Sequence, residues 1–175
     1  IVQHLPHITK TGSNQRNLRI LESIPPAELN PGLKYHLVGE LAGAGRDDEA
    51  VKLAVDLITG TELGKDERYD LLMSLVVKSQ DLKERVDFLH EAHKIDPERR
   101  EALGVLSCTM MDMGRPASAL AYARQMVATT GPDVHCWNSR LNFYGYVGDD
   151  IYQQALRVNG RMKDANIVRV NALKK

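Results

Sequence analysis

His90 and His93 lie three residues apart in a stretch that reads as helix, a spacing that places two imidazoles on one face and can bind a metal. No third ligand is readable beside them. A solvated face near a helix C-terminus, where the dipole favours imidazolium, accounts for the pair. His36 and His135 stand alone. Cys108 and Cys136 match no metal or redox spacing and read as two reduced core thiols. Adjacent carboxylates could chelate a diphosphate-bound metal from a strand-end loop. Asp47-Asp48 and Asp149-Asp150 are instead placed at helix starts, where capping and the dipole explain them. No Ser, Thr or Cys nucleophile has a readable base and orienting partner, and no glycine-rich loop joins a strand to a helix. No catalytic site and no cofactor are expected within this chain.

The totals narrow the partners. Lys and Arg number 23 and Asp and Glu 23, so no long-range field points to nucleic acid or an anionic membrane. Lys174-Lys175 is too short a basic tail to argue otherwise. No apolar run is long enough to cross a bilayer and no secretory signal opens the chain, which leads to the expectation of a cytoplasmic protein.

The elements that would position any site recur along the chain. In Leu103–Met126, LGVLSCTMMDMGRPASALAYARQM, two apolar helical patterns flank a tight turn at Gly114. Counterparts of Gly114 fall at Gly45, Gln80 and Gly148, spaced by 35, 34 and 34 residues. Five residues beyond the first three turns stand Ala50, Arg85 and Ala119, one per second helix. Arg85 departs from the small-residue column and suggests looser packing there. Pairs are predicted at 30–60, 65–96, 98–130 and 133–162, with Trp137, Leu141 and Tyr144 on the first helix of the last pair. Ser13 or Asn14 should cap a lone helix ending at Pro25-Pro26, Asp47 should cap the second helix of the first pair, and 164–175 should form a short capping helix. Residues 1–13 read as a linker or the last strand of an upstream domain, and 14–175 as one helical domain.

This layout resembles the tetratricopeptide repeat family. EAHKIDP at 91–97 is similar to that family's repeat ending, and GRDDEAVKLA at 45–54 and GRPASALAYA at 114–123 to its glycine-turn-alanine core. The fold class expected is all-α, a right-handed α-solenoid of about four helix pairs with flanking capping helices. First helices line the groove of such arrays. Off the core stripe, those helices carry Tyr35, Asp70, Ser74, Lys78, Glu101, Cys108, Asp112, Asn138, Asn142 and Tyr146. This polar surface with a few aromatics suits a protein or peptide, and Gly39 and Gly104 leave room for one.

A second resemblance concerns the opening. IVQH, a loop with a lysine, and SNQRNLRILE at 13–22 resemble a junction of family 2 glycosyltransferases, where a nucleotide-sugar transferase domain ends in a strand and histidine before a helix beginning Arg-Asn-Leu. Arg16, Asn17 and Leu18 would be those residues. The resemblance implies an upstream transferase domain using a nucleotide sugar and a divalent metal, with His4 or His7 helping to hold the metal. The leading expectation is therefore an acceptor-recognition module, the C-terminal part of such a transferase, whose partner is a glycosylation acceptor. The alternatives are a tetratricopeptide scaffold with no enzyme attached, or an oligomerisation domain in which the terminal Ile167-Val170-Leu173 face pairs with a second copy.

Overall fold

The structure, a computed structural model, describes residues 11–60, 63–129 and 146–172. Every regular element among the described residues is an α-helix. The chain divides into two compact units, Ile1–Leu63 and Gly64–Lys175.

The N-terminal unit contains α1 (Thr11–Ser23), α2 (Pro31–Gly43) and α3 (Asp47–Thr59). Leu18 and Leu21 of α1 are buried, as are Val38 and Leu41 of α2 and Ala50, Ala54 and Leu57 of α3. Asn30 caps α2, its Oδ1 accepting from Leu33 N at 2.9 Å, and Pro31 follows at the first helical position, where a missing N–H costs nothing. Two expected caps move. α1 already runs from Thr11, so Ser13 and Asn14 lie inside it. Arg46 occupies the cap position before α3, and Asp47 is the first helical residue, its charge stabilised by the helix dipole. Arg46 then ties the unit together by pairing with Glu22 of α1 and, at 2.6 Å, with Glu49. The Asn14 side chain of α1 occupies the space beside Gly43: a Cβ there would lie 2.1 Å from Asn14 Nδ2, which would have to turn aside.

The C-terminal unit contains α4 (Lys65–Lys78), α5 (Leu82–Ile95), α6 (Arg100–Asp112), α7 (Pro116–Ala128), α8 (Tyr146–Val158) and α9 (Met162–Ala172). Consecutive helices pack on one another, and α8 touches α6 as well as α7. In α6–α7, Leu103, Leu106 and Met110 meet Ala119, Leu120, Ala123 and Met126, all buried. Small residues on one helix let the backbones approach, and larger ones on the other fill the space.

One sequence expectation fails here. Gly148 is not a turn; it lies inside α8 and is buried. The turn that corresponds to Gly45 and Gly114 is Gly160. These three glycines alone among the described residues have positive φ, at 77°, 68° and 72°. Each is followed by Arg and, five residues on, by a buried alanine: Ala50, Ala119 and Ala165. The closing bonds match too, with Arg46 N to Leu41 O at 3.0 Å, Arg115 N to Met110 O at 2.8 Å and Arg161 N to Leu156 O at 2.9 Å. This is the Schellman closure, which favours glycine because its φ is left-handed. α8 is therefore the first helix of the last hairpin and α9 the second. Ala155 and Leu156 belong to the first of these, not to a second helix running on to Met162. The helix expected through Trp137, Leu141 and Tyr144 lies outside the described residues.

The Gln80 junction is built differently. Arg85 stands where the others have alanine, and its guanidinium donates to Ser79 O at 2.9 Å, satisfying the carbonyl that follows α4. Its position is filled by a capping contact, not left loose.

Candidate interaction face

Asp70 and Glu101, expected on the groove, are bound into the protein. Arg99 is the residue that claims them. It precedes α6, is 2% exposed, and lies with its guanidinium carbon 3.8 Å from the centre of the Tyr69 ring. Its Nη2 donates to Glu101 Oε1 at 3.1 Å and its Nη1 to Asp70 Oδ1 at 3.5 Å. Burial by itself would lower the Arg99 pKa, but the hydrogen bond to Glu101 and the surrounding negative charge outweigh it and raise it. The Tyr69 hydroxyl accepts from Ala102 N at 3.1 Å, one of the orphan donors of the α6 N-terminus. Asp96, also 2% exposed, pairs with Lys65 at 3.2 Å and accepts from Glu98 N at 3.3 Å. Together these side chains join α4, the end of α5 and the start of α6. Glu101, itself 1% exposed, cannot meet a partner, and Asp70 presents only a minor part of its surface.

The remaining candidates separate by exposure. Ser74, Lys78 and Asp112 are exposed on α4 and α6; the Ser74 hydroxyl donates back to Asp70 O at 2.9 Å. Cys108 is half-buried, and burial, then the charge of Asp112, pushes its thiol pKa up, so it is a poor nucleophile at neutral pH. In the N-terminal unit Tyr35 is half-buried and meets His36 edge-on at 5.4 Å between ring centres. Gly39 faces open space, where a Cβ would meet nothing within 4 Å. Gly104 is buried in α6 and leaves room for protein, not for a ligand. Asn138, Asn142, His4 and His7 lie outside the described residues; Tyr146 opens α8.

The two histidines of α5 have different surroundings. The His90 Nε2 lies 3.3 Å from the Tyr122 hydroxyl on α7, while His93 is half-buried. Burial, then the neighbouring His90, lowers the His93 pKa. Among the described residues no group of three His, Cys, Asp or Glu side chains could hold a metal ion, and no helix is long and apolar enough to cross a membrane.

Sequence reasoning missed Arg99, Asp96 and Lys65. IDPERRE looks like a solvated charge run beside a proline, and no helical period distinguishes a buried arginine from an exposed one. The Arg-Asn-Leu of the opening motif has structural employment: Leu18 is buried, and Asn17 Nδ2 donates to Glu40 Oε1 at 2.9 Å.

No family model and no curated protein matches the chain. Solved structures do. A crystal structure of MamA is similar with a TM-score of 0.69 and 15% identity, over 94% of this chain and 90% of that one. MamA AMB-1 is similar with a TM-score of 0.68 and 16% identity, over 95% and 91% of the two chains. A Podosopora anserina putative kinesin light chain with nearly identical TPR-like repeats is similar with a TM-score of 0.62 and 19% identity, over 95% and 88%. The chain thus has an all-α, tetratricopeptide-like repeat fold.

Proposed function

We propose that this chain is a protein-interaction scaffold of the tetratricopeptide-like kind, which recognises a protein or peptide through its first helices. The observation that carries this reading is the repetition of one hairpin junction, Gly-Arg-x-x-x-Ala, at Gly45, Gly114 and Gly160. In helical arrays of this kind the first helices line the surface that serves recognition. The similarity to MamA and to TPR-like repeats supports it. Within the C-terminal unit the exposed members of that surface are Ser74, Lys78 and Asp112. The test is quantitative affinity capture with the wild-type chain and with a Ser74→Glu, Lys78→Glu, Asp112→Lys variant. Proteins held by the first and lost by the second, at equal thermal stability, are the expected result. Identical capture would refute the assignment of the face.

The finer reading, that the scaffold forms the C-terminal part of a family 2 glycosyltransferase and selects its acceptor, rests on the opening motif alone. His4 or His7 would contribute to the metal, and the described residues supply no further ligand cluster. Manganese-dependent binding of a nucleotide diphosphate by the full gene product, lost in the His4→Ala, His7→Ala variant, would favour it. The absence of such binding would leave the scaffold. A cytoplasmic setting belongs to the proposal as well, and self-association through the Ile167 face is the alternative to a transferase; Ile167 is 59% exposed on α9.

A further inference from the structure

The N-terminal unit holds a cleft of about 290 Å³ between α1 and α2, lined by Asn17, Ile20, Leu21, Leu33, His36 and Glu40. Ligand pockets begin at about 300 Å³, so this cleft suits one residue of a partner better than a whole small molecule. Three of its six lining side chains are aliphatic, and Ile20 remains 56% exposed. The carboxylate of Glu40 is only half satisfied. Its Oε1 accepts from Asn17 Nδ2 at 2.9 Å, whereas its Oε2 is buried and meets no donor among the described residues. A carboxylate oxygen withdrawn from water without a donor is costly, and a cationic donor reverses that cost.

We propose that this cleft receives a lysine side chain of a partner peptide. The aliphatic stem lies on Ile20, Leu21 and Leu33, and the ammonium meets Glu40 Oε2. Lysine combines these two features, an apolar stem with a point charge carrying three donors at its end. The terminal torsion of glutamate is broad and roughly two-fold, so the carboxylate can tilt as a unit to offer one oxygen to the ammonium and keep the other within reach of Asn17. A partner with an acidic side chain would bring a second negative charge to Glu40, and one with a purely apolar side chain would leave Oε2 as it stands. The proposal deepens the scaffold reading and rests on it. That reading rests on the repeated hairpin junction and is tested at Ser74, Lys78 and Asp112 of α4 and α6, so failure at the cleft would not disturb it.

The test is an amide NMR titration of the full chain with Nα-acetyl-lysine N-methylamide and with its norleucine counterpart. The lysine compound should shift the amides of Asn17, Ile20, Leu33 and Glu40, and bind about tenfold more tightly than norleucine, as charge-assisted hydrogen bonds to a carboxylate do. Glu40→Gln keeps an acceptor for Asn17 and should make the two compounds equal; Ile20→Ala should weaken both. Equal affinities in the wild-type chain, or shifts confined to other amides, would overturn the proposal. So would shifts of the same amides with protein concentration alone, which would give the cleft to a second copy. If Glu40→Gln unfolds, the wild-type chain still decides. Its lysine preference must shrink between about 0.01 and 1 M salt, over which the screening length falls about tenfold, and a preference that does not shrink overturns the proposal.

Discussion

The two joints on either side of α6 are held by opposite means. Toward α7 the contact is apolar and graded by size, with Leu103, Leu106 and Met110 against Ala119 and Ala123. Its polar component is Ser107, whose hydroxyl donates to Ala119 O at 2.9 Å. Toward α4 the contact is ionic: Arg99 sits buried between Tyr69, Asp70 and Glu101. The apolar joint tolerates changes that conserve volume. The ionic joint tolerates none that remove one partner, because the charge left behind has no water to solvate it.

This contrast can be broken most forcefully at Arg99. Arg99→Met strands Glu101 and should cost about 3–5 kcal/mol, read as a lower urea midpoint by circular dichroism. The double variant Arg99→Met, Glu101→Leu should recover much of that loss, since a well-packed apolar pair replaces an ion pair at little net cost. A double variant as unstable as the single one would show that Tyr69 and Asp70, not Glu101, are what Arg99 serves. At the apolar joint, Ala119→Leu should cost about 1–3 kcal/mol by overpacking, measured in the same way. An unchanged midpoint would mean the helices can move apart.

The junctions refine the comparison at smaller cost. Gly114→Ala places a side chain at a φ of 68° and should destabilise by about 1–2 kcal/mol. Gly39→Ala, in ordinary helix with open space around the new Cβ, should stabilise by up to about 1 kcal/mol. Paired thermal scans of the two variants should therefore shift in opposite directions. The smallest effect is a pH slope. The His93 pKa is lowered from its ordinary 6.5 by burial, so the unfolded chain binds the proton more readily. Stability should be constant above that value and fall as pH drops below it toward the folded pKa. Replacement by Gln should flatten that part of the profile.

The hairpins themselves were legible because periodicity and turn chemistry are local. Apolar residues at helical spacing placed a pair at 65–96, which α4 and α5 fill, and the Gly-Arg turn with its alanine placed α3 and α7. The same reasoning misplaced the last turn. A constant 34-residue step led to Gly148, whereas the repeated Gly-Arg-x-x-x-Ala pattern, with Arg161 and Ala165, marked Gly160. Turn chemistry was the better guide, since a left-handed φ constrains residue type and a repeat length does not.

What only the tertiary structure decided is which charges are buried. Lys65, Asp70, Asp96, Arg99 and Glu101 span 37 positions of sequence, and their pairing arises only when α4 meets the end of α5 and the start of α6. The cleft beside Glu40 likewise needs α1 laid against α2, with Asn17 reaching across to one carboxylate oxygen and leaving the other unmet. Helix identity follows from the order of residues along the chain. The state of a charge follows from what surrounds it in space, because desolvation depends on neighbours that no local pattern names.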